Sequence, residues 1–190
     1  MSLLEWIAPD VGPVLQGEGV RLRPPRRRDY PQWAALRQAS RAFLQPWEPI
    51  WSADELSLAA YSRRLAAWRG GRDLDQLYAF FVFREPEETL VGGVTLNNVR
   101  RGVAQMASVG YWCGQPFARR GHTLAALDAV KAFAFGPLGL HRLEAACLPT
   151  NEASARLLLK AGFSEEGYAK AYLKINGEWR DHRLFGLVAR

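Results

Sequence analysis

The chain has 190 residues, of which 48% are hydrophobic and 23% charged, and it carries a formal net charge of +6. This length and composition suit a single globular domain over residues 1–190 and exclude an intrinsically disordered chain. No apolar run reaches the roughly 18 residues of a membrane span, and no basic start precedes an apolar core, so we expect a cytoplasmic protein with no membrane partner.

Cysteine spacing and charge limit the classes of ligand. Cys113 and Cys147 lie in separate apolar, strand-like runs with no histidine or cysteine at ligand spacing, so we predict reduced thiols and no metal site. The positive net charge suits phosphate-bearing ligands or an RNA-rich partner such as the ribosome. The cluster Arg26-Arg27-Arg28 lacks interleaved aromatic residues, so we expect no sequence-specific binding of nucleic acid.

The first half of the chain predicts two helices and several antiparallel strands. Asp29 is a helix-capping residue type, and Ser52 with Glu55 forms a capping box. Gly70-Gly71 is expected to stop the second helix, and Glu85–Glu88 to form the turn of a hairpin. The predicted elements are an irregular arm over 1–18, a strand over 20–23, helices over 29–38 and 52–68, and strands over 77–83 and 89–96.

The second half predicts a strand–helix–strand unit followed by a helix and a hairpin. Gly162 stands where a left-handed helix cap is expected, and Asn176-Gly177 is a strong hairpin signal. The strand–helix–strand unit implies one parallel strand pair with a right-handed crossover, and hence an α+β fold. The predicted elements are a strand over 105–113, a helix between residues 121 and 136, a strand over 142–148, a helix over 151–161, and strands over 168–175 and 178–188.

The turn before the predicted central helix carries a signal for ligand binding. Arg119-Arg120-Gly121-His122 links a strand to a helix, and the first N–H groups of a helix have no intrahelical partner. The helix dipole adds partial positive charge there, and the two arginines add full charges. The turn is therefore a candidate phosphate site, with a solvated helix start as the alternative interpretation.

A set of short motifs carries a resemblance to a known family. The motifs are Phe43–Pro49, Asn151–Ser154, Lys160–Phe163, Glu166–Lys170 and Asn176–His182. With the order of elements in the second half, they resemble the GCN5-related N-acetyltransferase (GNAT) family, whose co-substrate is acetyl-CoA. They are most similar to its RimJ/RimL branch, the ribosomal-protein-alanine N-acetyltransferases. The resemblance extends from Val20 to Val188, and its motifs are specific as a set and weak singly.

The resemblance implies a fold and a cofactor site. The GNAT fold has a central, twisted, mostly antiparallel sheet with one splayed parallel strand pair, about four flanking helices and a C-terminal β-hairpin. The splayed gap receives the pantetheine arm of acetyl-CoA, and the turn before the helix receives its pyrophosphate. The family's pattern at this turn falls on Ala118, Gly121 and Thr123, of which only the glycine matches. The implied cofactor residues are Trp112, Cys113, Arg119, Arg120, Gly121, His122, Thr123 and Asn151.

The resemblance also implies catalytic residues. Ser154 corresponds to a serine proposed to protonate the departing CoA thiolate, and Leu158 stands where many relatives have tyrosine. Glu144 corresponds to a strand glutamate that is the general base in some relatives. The alternatives are a serine bonded to backbone for Ser154 and a structural partner of Arg142 for Glu144. A second family glutamate is replaced by Leu173, which leaves a water relay open.

On the acceptor side, the resemblance implies a substrate groove near Phe43–Pro49. Trp47 would wall an apolar slot, Glu48 would attract a protonated N-terminus, and Tyr172 would contribute from the final hairpin. A loop packed by its own aromatic residues is the alternative. We expect an acetyl-CoA-dependent N-acetyltransferase, monomeric or homodimeric, that acts on a protein N-terminus such as that of a ribosomal protein. A small-amine acetyltransferase and a non-catalytic CoA-binding protein are the competing hypotheses.

Overall fold

The computed structural model describes residues 12–189, and eight strands of this part form one sheet. The strands are β1 Leu15–Gly17, β2 Val20–Arg23, β3 Tyr78–Arg84, β4 Thr89–Arg100, β5 Met106–Cys113, β6 Arg142–Cys147, β7 Ser164–Ile175 and β8 Glu178–Val188. They lie in the order β1-β2-β3-β4-β5-β6-β8-β7. The α-helices of this part are α1 Tyr30–Ala39, α2 Arg41–Leu44, α3 Leu58–Asp73, α4 His122–Phe135 and α5 Glu152–Lys160.

One neighbouring strand pair differs from the others in direction. β5 and β6 are parallel, whereas the other neighbouring pairs of the described sheet are antiparallel. The predicted α+β class with one parallel pair is therefore confirmed. Pairing between β5 and β6 ends at Ser108 opposite Glu144. Beyond that point the strands separate, which leaves a gap between residues 109–113 and 145–147.

Each face of the sheet packs against different helices. Because strand side chains alternate between faces, Phe80 of β3 lies in a core with α4 and α5, whereas Phe81 lies in a second core with α1 and α3. The same alternation applies along β5, where Tyr111 packs against the first core and Trp112 against the second. Consecutive side chains of β5 therefore project from opposite faces of the sheet.

Two predictions for the residues before α1 were wrong. The arm over 1–18 is not irregular throughout, because Leu15–Gly17 pairs with β2; residues 1–11 lie outside the described residues. Asp29 does not cap α1 through its side chain. Its carboxylate instead accepts two hydrogen bonds of 2.7 Å from the Arg23 guanidinium, because a buried arginine charge needs a partner.

Helix α3 begins and ends later than predicted. Its N-cap is Ser57, whereas Ser52 donates its hydroxyl proton to the Asp54 carboxylate at 2.8 Å. The helix also continues through Gly71. A Cβ at this glycine would lie 2.9 Å from the Leu77 Cβ, so the residue serves close packing of the helix end against the chain that enters β3.

Predictions for the second half were more accurate. α4 follows Gly121, and Gly162 has the left-handed φ of +92° expected after α5. Asn176 and Gly177 have φ values of +45° and +87°, as the predicted tight hairpin turn requires. β7 begins at Ser164 rather than at residue 168. Within residues 12–189, no helix is both long enough and apolar enough to span a membrane.

Candidate active site

A pair of hydroxyl groups lies where the gap between β5 and β6 meets α5. The Tyr111 hydroxyl oxygen is 2.7 Å from Ser154 Oγ, and either group can donate the hydrogen bond. Asn151 Oδ1 accepts a hydrogen bond of 3.0 Å from the Ser154 N–H and thereby caps α5. The structure thus brings two predicted residues together with Tyr111, which the sequence analysis did not select.

Burial sets the protonation of the groups beside the gap. It raises the pKa of Tyr111 to about 12, so the phenol keeps its proton at neutral pH. Burial also raises the pKa of Cys113 and that of Cys147, and both are free thiols. Because neither is a thiolate nucleophile at neutral pH, the site favours direct transfer to an acceptor over an acyl-cysteine. Within residues 12–189, no cluster of ligating side chains could hold a metal ion.

The turn between β5 and α4 presents positive charge and helix N–H groups. Gly121 is the N-cap of α4, and the first turn of the helix has no acidic residue. The φ of Gly121 is +86°, and no atom lies within 4 Å of the place that a Cβ would take. Glycine is therefore favoured here by the positive φ and not by a lack of space. Arg119 has a φ of +61°, so a residue with a side chain takes a left-handed conformation in this turn. It and Arg120 are exposed.

A small pocket opens beside this turn. Four of the predicted cofactor residues line it: Trp112, Cys113, His122 and Thr123. His122 Nδ1 is buried and has no hydrogen-bond partner among the described residues. Most buried polar atoms in proteins are hydrogen-bonded, so this atom at the start of α4 is available to a ligand.

Glu144 does not lie with the hydroxyl pair. Leu143 belongs to the core with α4 and α5, so Glu144 points to the opposite face. Its carboxylate accepts a hydrogen bond of 2.9 Å from Arg142 Nε, and the same guanidinium also binds Glu166. The geometry matches the interpretation of Glu144 as an ion-pair partner.

The predicted acceptor-side residues lie in the 43–51 segment and in the final hairpin. Trp47 is 37% exposed and Tyr172 48% exposed. The carboxylate of Glu48, which was expected to attract a protonated N-terminus, accepts a hydrogen bond of 2.7 Å from Arg37 on each of its oxygens. The backbone carbonyl of Glu48 accepts a hydrogen bond of 2.9 Å from the Asn176 N–H, which joins this segment to the final hairpin.

Comparison with known families assigns this arrangement. The acetyltransferase (GNAT) domain matches residues 20–164. The chain belongs to the GNAT family of N-acetyltransferases. The probable N-acetyltransferase YjcK of Bacillus subtilis is 31% identical over 175 residues, which cover 92% of this chain and 97% of that protein. The [ribosomal protein uS5]-alanine N-acetyltransferase of Escherichia coli is 34% identical over 149 residues, which cover 78% of this GNAT enzyme and 77% of that one.

A solved GNAT structure extends the likeness to three dimensions. RimJ of Mycobacterium smegmatis, solved in complex with CoA-disulfide, has a TM-score of 0.86 and 33% sequence identity. The match covers 96% of this chain and 88% of that one. The fold that carries the gap, the hydroxyl pair and the basic turn is therefore the fold of an acetyltransferase.

Proposed function

We propose that this GNAT enzyme uses acetyl-CoA to acetylate the N-terminal α-amine of a cytoplasmic protein, of the ribosomal-protein-alanine type. The observation that carries the proposal is the gap between β5 and β6, with a neutral hydroxyl pair on one side and a basic turn at its end. The similarity of this chain to the uS5-alanine enzyme of E. coli, at 34% identity, supports the choice of acceptor.

The residues around the gap fit the parts of acetyl-CoA. The N–H groups of the first turn of α4, with Arg119 and Arg120, suit a pyrophosphate. Beyond Ser108 and Glu144, the facing edges of β5 and β6 have backbone groups not paired with each other, which suit the amides of a pantetheine arm. The partnerless Nδ1 of His122 adds a polar atom at the turn. Bound there, acetyl-CoA supplies an activated acetyl group.

The hydroxyl pair would manage the proton of the leaving group. Tyr111 remains protonated because its pKa is about 12, and it shares a hydrogen bond with Ser154. Such a pair can donate to a sulfur that gains negative charge. Glu144 is held by Arg142 on the opposite face, so we propose that the proton of the acceptor amine leaves through water.

Binding and turnover measurements together test the proposal. Titration calorimetry with acetyl-CoA is expected to give saturable binding, and a thiol-release assay to show faster acetylation of a peptide with a free N-terminal alanine than of free alanine. A groove gains binding energy from residues beyond the first. The same peptide with a blocked N-terminus is the control. If the enzyme uses free small amines better than every peptide, the acceptor is a small amine and not a protein N-terminus. Binding of acetyl-CoA without turnover would indicate a non-catalytic CoA-binding protein.

A further inference from the structure

A partly buried ion pair joins helix α1 to the segment over residues 43–51. Both oxygens of Glu48 accept hydrogen bonds of 2.7 Å from Arg37, and one accepts a further bond of 2.8 Å from Trp51 Nε1. The Arg37 guanidinium carbon lies 4.4 Å from the ring centroid of Trp51 and 5.1 Å from that of Trp112. Arg37 is 6% exposed and Trp51 7%. We call these four side chains the clamp.

The clamp connects the 43–51 segment with three other parts of the fold. Arg37 belongs to α1, and Trp112 belongs to β5 next to Tyr111. The backbone of Glu48 is bonded to Asn176 in the turn between β7 and β8. Glu48 therefore ties the 43–51 segment to α1 and to the final hairpin, and Arg37 links it to Trp112 on the strand that carries Tyr111.

The physical chemistry of the clamp favours fixed geometry over added stability. A two-pronged arginine–carboxylate pair fixes both partners in one plane, and lysine cannot reproduce it. Taking both charges out of water costs much of what their attraction gains, so a buried pair adds little net stability. Loss of one partner nevertheless leaves an uncompensated charge, so the geometry is held strongly.

We propose that Arg37 and Glu48 are positioning residues for the acceptor amine. They hold the 43–51 segment, with its half-exposed Trp47, at a fixed place relative to β5 and the hairpin. This inference rests on the proposed function, because it requires an acceptor that enters on this side of the gap. Small misplacement of reacting groups lowers rate steeply, so a loosened segment should weaken use of the acceptor and leave acetyl-CoA binding intact.

The chain offers a matched control for this test. Arg23 and Asp29 also form a pair with two hydrogen bonds of 2.7 Å, and both are 4% exposed. The Arg23 guanidinium carbon lies 4.1 Å from the centre of the Phe83 ring, so this pair too is stacked on an aromatic side chain. It joins β2 to the start of α1 and has no contact with the 43–51 segment among its hydrogen bonds.

The experiment compares Arg37→Lys and Glu48→Gln with Arg23→Lys and Asp29→Asn. All four variants are expected to lower Tm. Only Arg37→Lys and Glu48→Gln are expected to lower kcat/KM for the acceptor, by roughly tenfold, through a higher KM or a lower kcat. Their Kd for acetyl-CoA should stay within about twofold of wild type. Kinetics are measured with whichever acceptor the wild type uses best, so a change of acceptor class revises the proposed function and leaves this test valid.

Equal kinetic effects in the two pairs would overturn the positioning role and leave the clamp a structural ion pair. If Arg37→Lys and Glu48→Gln do not fold, Trp51→Phe decides, because it removes one hydrogen bond to Glu48 and keeps the ion pair. A roughly threefold loss in acceptor kcat/KM with unchanged acetyl-CoA affinity supports the inference. Unchanged kinetics in Trp51→Phe contradict it.

Discussion

At the scale of single residues, the contact between Tyr111 and Ser154 defines the candidate site. Ser154 could be predicted from sequence because Asn151-x-x-Ser154 is a local motif at a helix start. Tyr111 could not, because the two hydroxyl groups are 43 residues apart in the chain. Their contact depends on how far β5 and β6 separate, and no local pattern encodes that distance.

Removing either hydroxyl is expected to slow turnover. Ser154→Ala and Tyr111→Phe should each lower kcat by roughly 10²-fold and leave the acetyl-CoA Kd nearly unchanged, because both act on the leaving group. The double variant should lose little more than either single variant, since the two share one hydrogen bond. Steady-state kinetics test this, with Tyr168→Phe as control, because its hydroxyl donates to Asp181 on the exposed hairpin. If Ser154→Ala keeps the wild-type kcat, Ser154 has a structural role at the start of α5 and no role in protonating the leaving group.

Substitution of Glu144, in contrast, is expected to leave turnover nearly unchanged. Its carboxylate is held by Arg142, so Glu144→Gln should keep kcat within about twofold of wild type and preserve the acidic limb of the pH–rate profile. Glu166→Gln, which changes the other partner of the same guanidinium, is the matched control. Loss of the acidic limb in Glu144→Gln alone would assign the general base to this residue.

At the scale of elements, local signals succeeded where they had no competitor. The Asn176-Gly177 turn and the Gly162 cap were predicted correctly because each needs a left-handed residue that few side chains tolerate. The start of α3 was missed because Ser52 and Ser57 both qualify as caps, and the choice depends on tertiary partners. The side chain of Ser57 accepts the first-turn N–H of Ala60 at 3.1 Å.

The turn before α4 can be tested through its glycine. Gly121→Val forces a β-branched residue to a φ of +86°, so it should distort the N–H groups at the helix start and weaken acetyl-CoA binding more than tenfold. Gly139→Val is the matched control, because Gly139 has a φ of +62° and equally open surroundings beyond the other end of α4. Both variants should lose similar stability by thermal unfolding. Equal acetyl-CoA affinity in both, by calorimetry, would remove the turn from the binding site.

At the scale of the whole molecule, the sequence predicted the fold class and the order of elements along the chain better than the interactions between side chains. Alternating and apolar runs indicate strands, and the crossover rule then limits the topology. The partners of charged groups are harder to predict, because many acidic residues along the chain could pair with an arginine such as Arg37. Its pairing with Glu48 depends on how the fold brings α1 and the 43–51 segment together.

Burial of tyrosines also predicts how the whole molecule responds to alkali. The pKa of Tyr111 is raised to about 12 by burial, and that of Tyr78 to about 12 by burial and its bond to Asp75. An unfolded tyrosine loses its proton near pH 10. Between about pH 10 and 12 the folded state therefore holds more protons than the unfolded state, so stability is complete below this range and falls as pH rises through it.

Urea unfolding at pH 9 and pH 11 measures this effect. We expect Tyr111 to account for a loss of about 1 kcal/mol in the free energy of unfolding between the two pH values. Tyr111→Phe should show a correspondingly smaller loss, and the exposed Tyr172→Phe should behave as wild type. An equal loss in wild type and Tyr111→Phe would mean that the phenol ionises near its ordinary pKa.

The early end of pairing between β5 and β6 has a consequence for amide hydrogen exchange. Central strands of a sheet are ordinarily its best protected part, because each is bonded on both sides. Here the residues of β5 beyond Ser108 are bonded to β4 on one side and face the gap on the other. Alternate amides of this strand should therefore exchange quickly in the middle of the molecule, and a ligand that bonds to them should slow that exchange without changing the fold.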